Sequence, residues 1–217
     1  MAYPQKQTIY IIDKPGALQS DILAAEISPS AKDPDFESIK IMNKIIGGDF
    51  TSRINMNLRE NKHWSYGTWS TTFNTKGPGI FFVSAPVQTY KTKESMFEIQ
   101  EELIQFVGSR PVTDTEFEKE KTSTILELPG WWETNLAILY RLEDNITFER
   151  GNDYLNNYAA MFQNLTLSDI QKAANKVVKP TSLTWVIVGD RAKITNGIQE
   201  LNFGTVKFLD VYGNEIK

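Results

Sequence analysis

Gly47-Gly48-Asp49-Phe50-Thr51-Ser52-Arg53-Ile54-Asn55-Met56-Asn57-Leu58-Arg59-Glu60-Asn61-Lys62-His63-Trp64-Ser65-Tyr66 is the stretch on which the reading of this chain turns. Gly47-Gly48 ends a helix, because glycine takes the left-handed conformation that closes a C-terminus. Thr51 or Ser52 is placed to cap a short helix carrying Ile54, Met56, Leu58 and Arg59. Lys62-His63 is a polar turn. From Trp64 to Phe73 bulky residues alternate with small or hydroxyl ones, the period of a strand.

Working outward, Phe36, Ile39, Met42, Ile45 and Ile46 recur at helical spacing before the glycines. Asp33-Pro34-Asp35 opens that helix, with Asp33 as the cap and Pro34 in the first turn. Upstream, Thr8–Ile12 and Asp21–Ser28 read as strands around the Asp13-Lys14-Pro15-Gly16 turn. Ile22, Ala24 and Glu26 fall on one face of the second strand. Downstream, Lys76-Gly77-Pro78-Gly79 joins the Trp64–Phe73 strand to Ile80–Ala85 as a hairpin. Helices follow from Thr92 to Val107, after the capping box Thr113-Asp114-Thr115-Glu116, from Trp131 to about Leu142, over Asp153–Phe162 and over Ser168–Val178, the last capped by Thr166. Leu183–Val188 is a buried strand closed by Gly189-Asp190. Ile198–Leu201 is a short helix and Val206–Leu209 a final edge strand. Strands and helices are partly segregated and hairpins are present, which predicts an α+β fold with a largely antiparallel sheet packed against helices.

The chain has 217 residues and a net charge of −4, enough length for one real core. Its slight acidity disfavours nucleic acid as a partner. No run approaches the roughly 20 apolar residues that span a bilayer. The N-terminus lacks the apolar segment of a signal peptide, but Met1-Ala2 reads as a cut from a longer gene, so the compartment stays open. There is no Cys and one His, His63. A zincin or inverted-zincin motif needs two His one helical turn apart, so the chain cannot build either. His63 reads as a solvated loop residue, Glu116, Glu118 and Glu120 as a solvated helix face, and Trp131-Trp132 as a helix anchor in the core.

The quoted stretch resembles the second half of pitrilysin/insulinase-type metallopeptidases, the inverzincins. There a Gly-rich segment precedes Ser-Arg-Leu and Leu-Arg-Glu, with a Tyr seven residues after the second Arg. Here these are Ser52-Arg53-Ile54, Leu58-Arg59-Glu60 and Tyr66. Asp13–Ser20, Asp33-Pro34-Asp35 and Leu165–Asp190 extend the likeness in the right order over nearly the whole chain. His63-Trp64 departs from it: the family commonly has a small and an aliphatic residue there.

The resemblance implies a half-clamshell fold like that of mitochondrial processing peptidase, with residues 1–217 forming a single non-catalytic domain of a larger two-half protein. It implies a homologous zinc-bearing half, on the same or another chain, and a peptide substrate. Zinc is expected in that partner half and none in this chain. Arg59 is then the residue that holds substrate carbonyls, since its fork of donors is always charged. Tyr66 is the phenol that donates to the developing oxyanion. Arg53 is assigned to holding the Gly47–Ser52 loop, with substrate contact as its other role. A catalytically retired structural or peptide-binding module with the same fold is the competing expectation.

Overall fold

A computed structural model describes residues 6–216 of the protein. In chain order these fold as β1 (Gln7–Asp13), β2 (Gln19–Ser28), α1 (Phe36–Asn43), α2 (Arg53–Asn55), β3 (Trp69–Thr72) and β4 (Gly79–Gln88). A run of helices follows: α3 (Thr92–Val107), α4 (Asp114–Leu126), α5 (Asn135–Thr147), α6 (Tyr154–Asn164) and α7 (Leu167–Val177). The chain closes with β5 (Thr184–Gly189), α8 (Arg191–Glu200), β6 (Gly204–Leu209) and β7 (Glu215–Ile216).

The strands form one sheet in the order β3-β4-β2-β5-β1-β6-β7. The β3–β4, β4–β2, β2–β5 and β6–β7 pairs are antiparallel, while β1 runs parallel to both β5 and β6. The expected α+β layout is therefore present, with a parallel pair of seams at β1. The Asp13–Gly16 turn forms, with Gly16 at φ +75°. Its flanking strands are nevertheless not neighbours: β5 inserts between them, and the Lys14 N–H donates to the Gly189 carbonyl.

One face of the sheet is dry. Ile22, Ala24, Phe81, Val83, Ala85, Ile9, Ile11, Trp185 and Ile187 alternate inward and meet Ile39, Met42, Met96, Ile99, Leu103, Phe162, Ile170 and Val177 from the helices. This period-2 burial is what the strand patterns predict. Glu26 brings a carboxyl group to that face: it is buried, and its carboxylate accepts from the Lys179 N–H at 2.8 and 3.0 Å. Burial pushes its pKa up to about 8, against the pull of that N–H and of the Lys179 charge. Both capping boxes form, Thr113 with Glu116 and Thr166 with Asp169.

Several boundaries differ from the sequence reading. The Trp64–Phe73 strand shrinks to Trp69–Thr72, with a lone bridge from Ser65 to Val87. The cause is Pro86 on β4, which has no N–H to continue the ladder and whose carbonyl is taken by the Ser65 hydroxyl at 2.6 Å. The helix expected from Trp131 is a tight turn over Leu128–Trp132, then α5 capped by Thr134. Trp131 packs on Tyr158, whereas Trp132 is exposed. The helix before β6 is longer than Ile198–Leu201, and β6 is covered at one end by β7 rather than being the edge.

Candidate functional site

The site is built where α1, α2 and the approach to β3 converge. The helical run of α1 ends at Gly47-Gly48 as expected, but it widens into a π-turn over Lys44–Gly48, and neither glycine takes the left-handed conformation. Gly47 lies flush on β3, where a Cβ would come 2.5 Å from Ser70 Oγ and 2.9 Å from its backbone nitrogen. Only glycine permits that approach. Phe50 then leads to α2, which likewise widens into a π-turn over Met56–Asn61. Such wide turns shift side chains around a helix and recur at functional sites.

Asn55 joins these pieces. It is 3% exposed, donates to the Phe50 carbonyl at 2.6 Å and accepts from the Thr68 N–H at 3.0 Å. It thereby ties the Phe50 loop, the helix bearing Arg59 and the segment after Tyr66 into one unit. Nothing in a lone Asn announces such a role in sequence; the clue is positional, one helical turn before Arg59.

The structure brings Arg59 and Tyr66 together. The Arg59 guanidinium carbon lies 4.5 Å from the Phe50 ring centroid and 5.5 Å from that of Tyr66. Its ion pair with Glu60 is a loose 3.3 Å contact from Nε. Among the described residues, neither the terminal guanidinium nitrogens nor the Tyr66 hydroxyl meets a hydrogen-bond partner. Tyr66 is 88% exposed. Both residues line a pocket of about 330 Å³ with Gly47, Phe50, Trp69 and Pro86. His63 and Trp64 stay outside it. His63 is exposed at φ 57°, with Nδ1 3.0 Å from the Arg59 carbonyl oxygen, and Trp64 packs against the core.

Arg53 does something other than expected. It turns away from the Gly47–Ser52 loop and clamps the α3–α4 connection. Its Nε and Nη2 each donate to Glu116 at 2.6 Å, and the guanidinium also reaches the carbonyls of Arg110 and Pro111. Burial raises the Glu116 carboxyl, but the bonds from Arg53 and Thr113 outweigh it and hold the pKa at about 2. Glu120 is buried, so of the three alternating glutamates only Glu118 is a solvated one.

A metal does not fit these residues. Among the described residues, no group of three or more His, Cys, Asp or Glu is placed to hold one. No helix there is long and apolar enough to cross a membrane.

A mixed sheet under helices thus carries an open Arg59–Tyr66 pair at one pocket. The sequence model described as the peptidase M16 inactive domain matches residues 2–124, and the chain belongs to that metallopeptidase family. Among solved structures, it resembles the peptidase M16 inactive domain of Pseudomonas fluorescens at 21% identity and TM-score 0.78, over 87% of this chain and 44% of that one. It resembles a protease of Helicobacter pylori at 19% identity and TM-score 0.77, over 86% and 45%. Its fold also resembles that of a chain in Complex III2 of Candida albicans, at 12% identity and TM-score 0.69, over 89% and 49%. The chain thus spans less than half the length of each. No curated protein matches it.

Proposed function

We propose that this chain is one half of a zinc metalloendopeptidase and supplies Arg59 and Tyr66 to a peptide site completed by a zinc-bearing half. The observation that carries the reading is the pair itself, side by side at an open pocket with their donors unspent. A buried structural Arg or Tyr would have its donors bonded within the fold. Arg59 would grip substrate carbonyls with its fork of N–H groups. The Tyr66 hydroxyl would donate to the oxygen that gains charge as the peptide carbonyl is attacked. Its exposure fits a site that is half built: water is excluded only when the second half closes over it.

The test is Tyr66→Phe in the assembled two-half protein. The expected result is a fall in kcat of about 10²-fold, the usual cost of one oxyanion donor, with KM little changed. An unchanged kcat would remove Tyr66 from the mechanism. A retired structural or peptide-binding module is the second reading, supported by the likeness to a chain of a respiratory complex. It expects no hydrolysis from any assembly containing this chain, with or without Tyr66.

A further inference from the structure

An aromatic tract runs out of the pocket along the open face of the sheet. Trp69, which lines the pocket beside Tyr66, packs edge-on against Phe82 with centroids 5.1 Å apart, and Phe82 meets Phe73 at 5.4 Å. Trp69, Phe73 and Ile80 are each about half exposed, although Trp69 and Phe73 both pack on Phe82. The helices do not cover them, because Ser70, Phe81 and Val83 take the inward positions of β3 and β4. An exposed aromatic group continuous with a pocket marks a contact surface more often than an accident of folding.

The hydrogen-bonding edge of β3, by contrast, is partly taken. The Thr68 N–H donates to Asn55, and the Ser70 carbonyl accepts from Asn43 Nδ2 at 3.1 Å. A peptide therefore cannot extend the sheet at these positions, which is the usual way an exposed edge captures a strand. What remains for an extended peptide is the free fork of Arg59 for its carbonyls and the Trp69–Phe82–Phe73 tract for a side chain.

We propose that this tract is a specificity surface for peptides bearing an aromatic or large branched apolar residue. Alternate side chains of an extended peptide lie ~7 Å apart on one side, so one of them can meet the tract while backbone carbonyls meet Arg59. The inference rests on the peptide-site reading above. The occupant is a peptide rather than a second copy of the chain because Trp69 lines the same pocket as Arg59 and Tyr66, so the tract is continuous with the proposed peptide site.

The test uses the 217-residue chain and fluorescein-labelled decapeptides of Ser and Gln in which one Phe is moved position by position. Fluorescence anisotropy should show Phe peptides binding about tenfold tighter than the Phe-free parent. Trp69→Ser should abolish that preference and Trp69→Phe should keep it, which separates loss of the surface from loss of folding. Arg59→Ala should weaken every peptide alike and leave the preference intact. Equal binding of Phe and Phe-free peptides would overturn the proposal, as would a preference that survives Trp69→Ser. So would a dimer in sedimentation that Trp69→Ser dissociates, since the tract would then be a self-contact. If Trp69→Ser acts as expected but Arg59→Ala changes nothing, the surface stands and the Arg59 assignment falls.

Discussion

Arg53 and Arg59 sit on one short helical segment and have opposite fates. Arg53 is almost enclosed: its guanidinium is met by both oxygens of Glu116 and two carbonyls, and lies 5.0 Å from the Phe106 ring. Arg59 is flanked by two exposed rings and has nearly all its donors free. The first pins the helix to the body and the second faces outward from it. An arginine whose hydrogen-bond capacity is exhausted by the fold is holding structure. One whose capacity is left open, on a backbone held by buried groups such as Asn55, is available to a ligand.

The largest effect that would test this division is on Arg53. Arg53→Ala removes a bidentate ion pair whose arginine side chain is 9% exposed, and leaves two carbonyls without a donor. We expect a loss of about 2–3 kcal/mol in urea unfolding, below the range for a fully buried pair because Glu116 can rehydrate. A loss under about 1 kcal/mol would mean that the clamp is ornamental and that the comparison has no structural half.

Acid sharpens the same contrast. The folded Glu116 titrates at about 2, below its ordinary value of 4.5. A depressed carboxylate contributes stability that is complete above its unfolded pKa and is lost as pH falls through the folded one. The stability gap between wild type and Arg53→Ala should therefore be full above about pH 4.5 and narrow as pH falls toward 2. Parallel curves over that window would show that Glu116 owes its low pKa to Thr113 rather than to Arg53.

How much of this was readable beforehand depends on the range of the interaction. Thr113 with Glu116 and Thr166 with Asp169 were legible because a capping box is a contact within one helical turn. The strands were legible from alternation, but the place of β5 between β1 and β2 was not, since nothing local to Thr184–Gly189 names its neighbours. Arg59 and Tyr66 were picked from a motif. Phe50, Asn55 and Trp69, which complete their surroundings, were missed because their roles depend on the two π-turns and on Pro86 cutting β3 short. The destination of Arg53 is not legible for the same reason: its partner Glu116 lies on α4, 63 residues along the chain, in a run of alternating charge that has the pattern of a solvated face.

The smallest expected effect is also the one on which the division depends most. Arg59→Ala removes a loose, solvent-screened contact to Glu60 and the stacking on Phe50, and leaves no buried group unsatisfied. Exposed pairs and cation–ring contacts of this kind contribute well under 1 kcal/mol each, so its unfolding curve in urea should lie within about 1 kcal/mol of wild type. Arg59→Lys should be closer still, because the charge above Phe50 is kept. Yet if the proposed function holds, Arg59→Lys should lower kcat/KM of the assembled peptidase, since an ammonium cannot present the planar fork proposed to grip neighbouring carbonyls. If instead Arg59→Ala destabilised the fold as much as Arg53→Ala, both arginines would be structural, and the open geometry around Tyr66 would have to be explained without a substrate.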